Sequence, residues 1–126
     1  MDKKGNTYKV KITGYYPSNS KMEGGYVDCV DHPLKTLSDY VRNSKNNSHV
    51  SLAVDKDVIP LGSLVNIEGF NDSDNVPILF YACDVGGSII GNHVDICCGN
   101  KEQTYKVDSG KETKELKIIG FQELKK

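Results

Sequence analysis

The sequence predicts an all-β domain, a small closed barrel or a sandwich, with one short helix. Three observations carry this. Short apolar or alternating runs recur at near-regular spacing, each bounded by Gly, Pro, Asn or Asp. Only 33–42 sets apolar residues at helical spacing. No internal repeat or composition shift divides the chain, so 1–126 reads as a single domain, frayed only at its first six and last three residues.

The elements follow in order. From Thr7 to Thr13, Tyr8, Val10 and Ile12 alternate with Lys9, Lys11 and Thr13, a half-buried strand that Gly14 should break. Tyr15 and Tyr16 suit either the core or a sugar groove, and a polar loop runs from Pro17 to Gly25. Asp31 and Pro33 are start signals for a helix from Pro33 to Arg42, with Leu34, Leu37 and Tyr40–Val41 as its apolar stripe. An exposed loop over 43–48 follows. Ser51–Val54 and Leu64–Ile67 read as strands, separated by a turn and by Pro60-Leu61-Gly62. Gly69 to Asn75 is a hairpin loop, and Ile78–Cys83 pairs back. Val94–Cys97, Gln103–Val107 and Leu116–Phe121 complete the strands.

One stretch concentrates the chemistry. Asp84-Val85-Gly86-Gly87 ends a largely apolar strand, and Gly91-Asn92-His93-Val94-Asp95 opens the next. Gly86 and Gly87 permit close approach of a ligand or another backbone. Asp84 and Asp95 stand eleven positions apart at the two ends. Two acids on rigid strands suit glycan chemistry; turn residues and solvated strand residues are the plain alternative. The strands of Asp84 and Asp95 are expected to be neighbours, with both carboxyl groups opening into one groove beside His93 or Tyr15.

Composition narrows the partners. Sixteen basic and seventeen acidic residues give a net charge of −1, which argues against nucleic acid or anionic membrane. No apolar run reaches transmembrane length, and Met1–Asn6 lacks the apolar core of a signal peptide. A mature fragment, an excised domain or a phage-delivered protein fits that start. With no Trp and seven Tyr, any sugar-stacking platform is Tyr or Phe. Cys29, Cys83, Cys97 and Cys98 could form two disulfides with three connectivities. Cys83 and at least one of Cys97 and Cys98 stand in apolar runs where free Cys packs, so at most one disulfide is expected, and one that forms involves Cys29. No Cys-x2-Cys pair exists and His32, His49 and His93 are scattered, so no metal is expected. No cofactor is expected either.

Asp84-Val85-Gly86-Gly87 through Gly91-x-His93-x-Asp95 closely resembles the carboxyl-terminal motif of the membrane-bound lytic transglycosylase A family. Ser51-Leu52-Ala53-Val54-Asp55 through Ile59-Pro60-Leu61-Gly62 resembles the signature of the three-aspartate (3D) domain, whose name-giving positions fall on Asp55, Asp84 and Asp95. Thr13-Gly14-Tyr15 is similar to its Thr-x-Tyr opening. The resemblance selects a six-stranded double-psi β-barrel with a groove across one face. It implies a peptidoglycan lytic transglycosylase, working at the cell wall outside the cytoplasm or in the periplasm, as a module of a larger wall-degrading protein. Asp95 takes the place of the single acid/base. Asp84 assists by raising its pKa or by stabilising an oxocarbenium ion. Asp55 braces the groove, and Thr13, Tyr15, Gly86, Gly87 and His93 join it as substrate contacts.

The chain departs from that family in one respect. Full members carry a large second domain that forms the other groove wall, and 126 residues leave no room for it. Expansin-like barrels keep an equivalent Asp and bind polysaccharide without efficient cleavage. A non-catalytic glycan-binding module is therefore the alternative expectation.

Overall fold

A computed structural model describes residues 5–16, 27–30, 32–43 and 48–125. Six strands close into a barrel: β1 (Thr7–Tyr15), β2 (Val50–Val54), β3 (Ser63–Ile67), β4 (Phe80–Asp84), β5 (His93–Cys97) and β6 (Lys114–Phe121). Their order around the barrel is β1-β5-β2-β4-β3-β6, so sequence neighbours are mostly not spatial neighbours. β1 runs parallel to β5 and β2 parallel to β4; the other pairs are antiparallel. This is the double-psi β-barrel.

Alternation builds the interior. Val10 and Ile12, Leu52 and Val54, Phe80 and Ala82, Val94 and Ile96, and Leu116 and Ile118 are all fully buried. Each pair lies two residues apart, as one face of a pleated strand requires. Phe70 packs edge-on against Phe80, centroids 5.9 Å apart.

Three expectations are corrected. The first helix, α1 (Leu37–Arg42), starts later than Pro33, with Thr36 Oγ1 accepting from the Asp39 amide as its cap. The reason is tertiary. Pro33 bridges Val27, and Lys35 exchanges hydrogen bonds with Ser51, which holds this segment extended along β2. Asp31, the expected start signal, lies outside the described residues, as do 17–26 and 44–47.

The expected strand Gln103–Val107 is instead part of a second helix, α2 (Lys101–Val107). The Asn100 side chain accepts from the Gln103 amide, and Gln103 Oε1 accepts from the Gly99 amide. The pattern is close to a capping box, with Gln103 reaching the amide of Gly99, one residue before the cap Asn100, and Asn100-x-x-Gln103 spells its outline in the sequence. The alternation of Gln103, Tyr105 and Val107 pointed the other way over too short a window.

Gly14 does not break β1, which pairs with β5 through Tyr15. Its missing side chain serves α2: a Cβ there would stand 2.6 Å from Val107 Cγ2 and 2.8 Å from Thr104 Cα. The helix can thus lie directly on the strand.

Candidate functional site

Registers across four strands build the site. Thr13 on β1 pairs with Asp95 on β5, Asp95 pairs with Ala53 on β2, and Ala53 pairs with Asp84 on β4. The strands of the two acids are therefore not neighbours, contrary to expectation; β2 runs between them. Two strand spacings set the acid backbones about 10 Å apart. The row Thr13–Asp95–Ala53–Asp84 faces outward, while Ile12, Leu52, Val54, Val94 and Ile96 fill the barrel. Ala53 matters by its size, since a larger side chain would stand between the carboxyl groups.

A bulge aims Asp84. Leu52 pairs with Ala82 but Ala53 pairs with Asp84, so Cys83 is the extra residue in β4. Without it, Cys83 would take the place opposite Ala53. Re-aiming a side chain beside a site is a common use of such irregularities.

Asp84, Asp95 and Ala53 line a groove of about 820 Å³ with Tyr15, Gly86, Gly87 and Ser88. Lys101, Thr104 and Tyr105 of α2, which packs on β1, also line it, as do Val27, Asp28 and Cys29. Asp28 is a third acid that the sequence reading missed. It is 7% exposed, its Oδ1 accepts from the Val30 and His32 amides, and its Asp-x-x-x-His spacing carries no known signal.

Hydrogen bonds orient Asp95. Thr13 Oγ1 donates to Asp95 Oδ1 at 2.8 Å. The same hydroxyl lies 2.8 Å from His93 Nε2. A hydroxyl has one proton, so while Thr13 donates to Asp95 it accepts from a protonated Nε2. When Asp95 gains a proton, the hydroxyl can turn and the direction can reverse. His93 thus stands behind Thr13 rather than among the residues lining the groove.

Burial raises the pKa of Asp95, with Thr13 and His93 opposing the rise. Burial also raises Asp84; the Val85 amide opposes it, Asp28 adds to it, and Asp95 contributes least. Coupling between two charges is reciprocal, so Asp84 has an equally small effect on Asp95. Desolvation, not the neighbouring acid, is what makes Asp95 a stronger proton holder. Tyr15 Oη donates to Asp84 Oδ2 at 3.4 Å, and burial pushes its phenol far upward, so it remains a donor.

Asp55 lies outside the groove lining and grips the loop from behind. Its Oδ2 accepts from the Gly91 amide at 2.8 Å and its Oδ1 from the Asp57 amide at 3.0 Å. Those bonds hold its carboxyl below the usual range. Gly91 sits at φ +74°, where a side chain would be strained. One carboxylate thus fixes the turn after β2 to the loop before β5.

The four cysteines are free thiols. Burial pushes Cys83 and Cys98 up to about 12 and raises Cys97 as well, so these three are inert at neutral pH. Among the described residues no His, Cys, Asp and Glu cluster could hold a metal ion, and no helix is long and apolar enough to cross a membrane.

The family model described as "3D domain" matches residues 50–120, more than half of the chain, including all three aspartates. This chain belongs to the 3D domain family. The 3D domain is similar to YabE of Bacillus subtilis (strain 168), a protein named for cell wall shaping, at 37% identity over 78 residues. It is also similar to YocH of the same organism, named as a cell wall-binding protein, at 40% identity over 58 residues. These matches cover 61% and 46% of this chain but 17% and 18% of the relatives. The 3D domain thus corresponds to under a fifth of either relative's length.

Proposed function

We propose that this 3D domain acts on the bacterial cell wall as a peptidoglycan lytic transglycosylase, with Asp95 as the single acid/base. The observation that carries the reading is the row Thr13–Asp95–Ala53–Asp84, which sets a desolvated carboxyl and a second acid on the floor of one open groove. The cell-wall names of the two relatives support the substrate.

The chemistry needs few parts. Asp95, protonated, gives its proton to the oxygen between N-acetylmuramic acid and N-acetylglucosamine as that bond breaks. An oxocarbenium-like centre develops on the muramoyl ring, and Asp84 across Ala53 offers it negative charge. Asp95, now ionised, takes the proton of the muramoyl 6-hydroxyl. That oxygen closes on the anomeric carbon, giving a 1,6-anhydro ring and returning Asp95 to its acid form. Thr13 supports both states of Asp95, since its hydroxyl can donate or accept.

The second reading is a glycan-binding module that uses the same groove without cleavage. The name of YocH favours it. Digestion of purified sacculi followed by mass spectrometry separates the two. Release of anhydro-muropeptides, one water lighter than hydrolysis products, supports the transglycosylase. Sacculi bound without any product would establish the binding module, and sacculi neither bound nor cut would defeat both.

A further inference from the structure

Helix α2 turns one face to the groove. Lys101, Thr104 and Tyr105 stand at i, i+3 and i+4, and all three line it. Asp28, Asp84 and Asp95 line the same groove. Among the described residues that line the groove, Lys101 is the one Lys or Arg. Tyr105 is 67% exposed and offers an aromatic face to a sugar ring.

This charge pattern selects a register. An anion in the groove is drawn to Lys101 and disfavoured beside those of the acids that are ionised. In a glycan of alternating N-acetylglucosamine and N-acetylmuramic acid, only the muramoyl sugar carries an acidic pendant arm. Sliding the strand by one sugar moves that anion away from Lys101 and faces a neutral sugar to it. We infer that Lys101 reads the carboxylate borne on the muramoyl arm, and so decides which of the two sugars stands at Asp95. The inference rests on the glycan reading above and deepens it. The anion is either the lactyl carboxylate itself or a carboxylate of the peptide that extends it; the chemistry Lys101 meets is the same.

The test is equilibrium binding to the full chain carrying Asp95→Asn, which keeps the strands intact. The probes are peptide-free muramoyl-glucosaminyl oligosaccharides, the same with the lactyl carboxylate converted to a methylamide, and the same with the stem peptide attached. The free acid should bind about tenfold tighter than the methylamide, as expected for a charged hydrogen bond. Lys101→Met should bring that ratio close to one, and raising the salt from about 0.05 to 0.5 M should shrink it. A preference present only with the stem peptide, and lost in Lys101→Met, places the anion on the peptide and equally sustains Lys101 as its reader. Tyr105→Ala should weaken both forms alike and keep the ratio; if it abolishes the ratio, the preference belongs to the helix as a whole and the inference fails. Equal binding of all forms with Lys101 present overturns the inference while leaving the glycan reading intact. Binding of none overturns both.

Discussion

The Asp95 carboxyl is set by two neighbours and by lost water. Thr13 and His93 fix its direction and favour its ionised form, while burial favours the protonated form and raises its pKa. Asp95→Asn keeps the shape and the bond from Thr13 but has no proton to give. Anhydro-muropeptide release should fall roughly 10²–10⁴-fold, with sacculus binding retained, as measured by product mass spectrometry and a pelleting assay. Because the two acids couple weakly, Asp84→Asn should lower the rate less and move the alkaline limb of the pH profile only slightly downward; a large downward move would return Asp84 to the role of pKa setter. The same shifts make a stability prediction. Asp84 and Asp95 hold protons more tightly folded than unfolded. Between the ordinary carboxylate pKa and their raised values the native state binds more protons, so their contribution to stability falls as pH rises through that window. Denaturant titrations at pH 4 and pH 7 should show Asp95→Asn gaining on the wild type at the higher pH. Asp55 has the opposite sign: its pKa is lowered, so its contribution is present above the ordinary carboxylate pKa and lost as pH falls below it.

At the scale of elements, the contact of α2 with β1 builds the groove. Gly14 admits the helix, Ser38 Oγ of α1 donates to Gln103 Oε1, and Gln103 caps the start of α2. Gly14→Ala would bring a methyl group against Val107, Thr104 and Cys98. The expected cost is about 1–3 kcal/mol from overpacking, read as a lower denaturation midpoint. Glycan binding should fall further than stability alone accounts for, since the wall carrying Lys101 and Tyr105 is what moves. A variant with the wild-type midpoint and undiminished glycan affinity would show that α2 has room to spare.

Across the whole molecule, the barrel interior holds the rows in register. Phe80 is fully buried in β4, four residues before Asp84, and packs on Phe70. Phe80→Ala should cost about 3–5 kcal/mol, measured by chemical denaturation. The site's geometry depends on closure, because Thr13, Ala53, Asp84 and Asp95 come from four strands and meet only in the folded barrel.

By itself the sequence determined the strands, the turns and the three aspartates. A period of two in Thr7–Thr13, Leu64–Ile67 and Leu116–Phe121 is a local property of pleated chain with one wet face, so it survives in a linear reading. The glycine-rich link from Asp84 to Asp95 is likewise local. The tertiary structure decided what lies between them. The strand order sets β2 between the two acids, and the bulge at Cys83 turns Asp84 toward the groove; neither leaves a mark in the residues nearby. It also decided that Gly14 lies inside a strand and that Pro33–Lys35 stays extended, because a packed helix and a paired strand outweigh the local preferences of Gly and Pro. The helix at 101–107 stands between the two cases. Its cap was spelled in Asn100-x-x-Gln103, but seven residues are too few for a period of 3.6 to outweigh one of 2, and only the contact with β1 settled which would form.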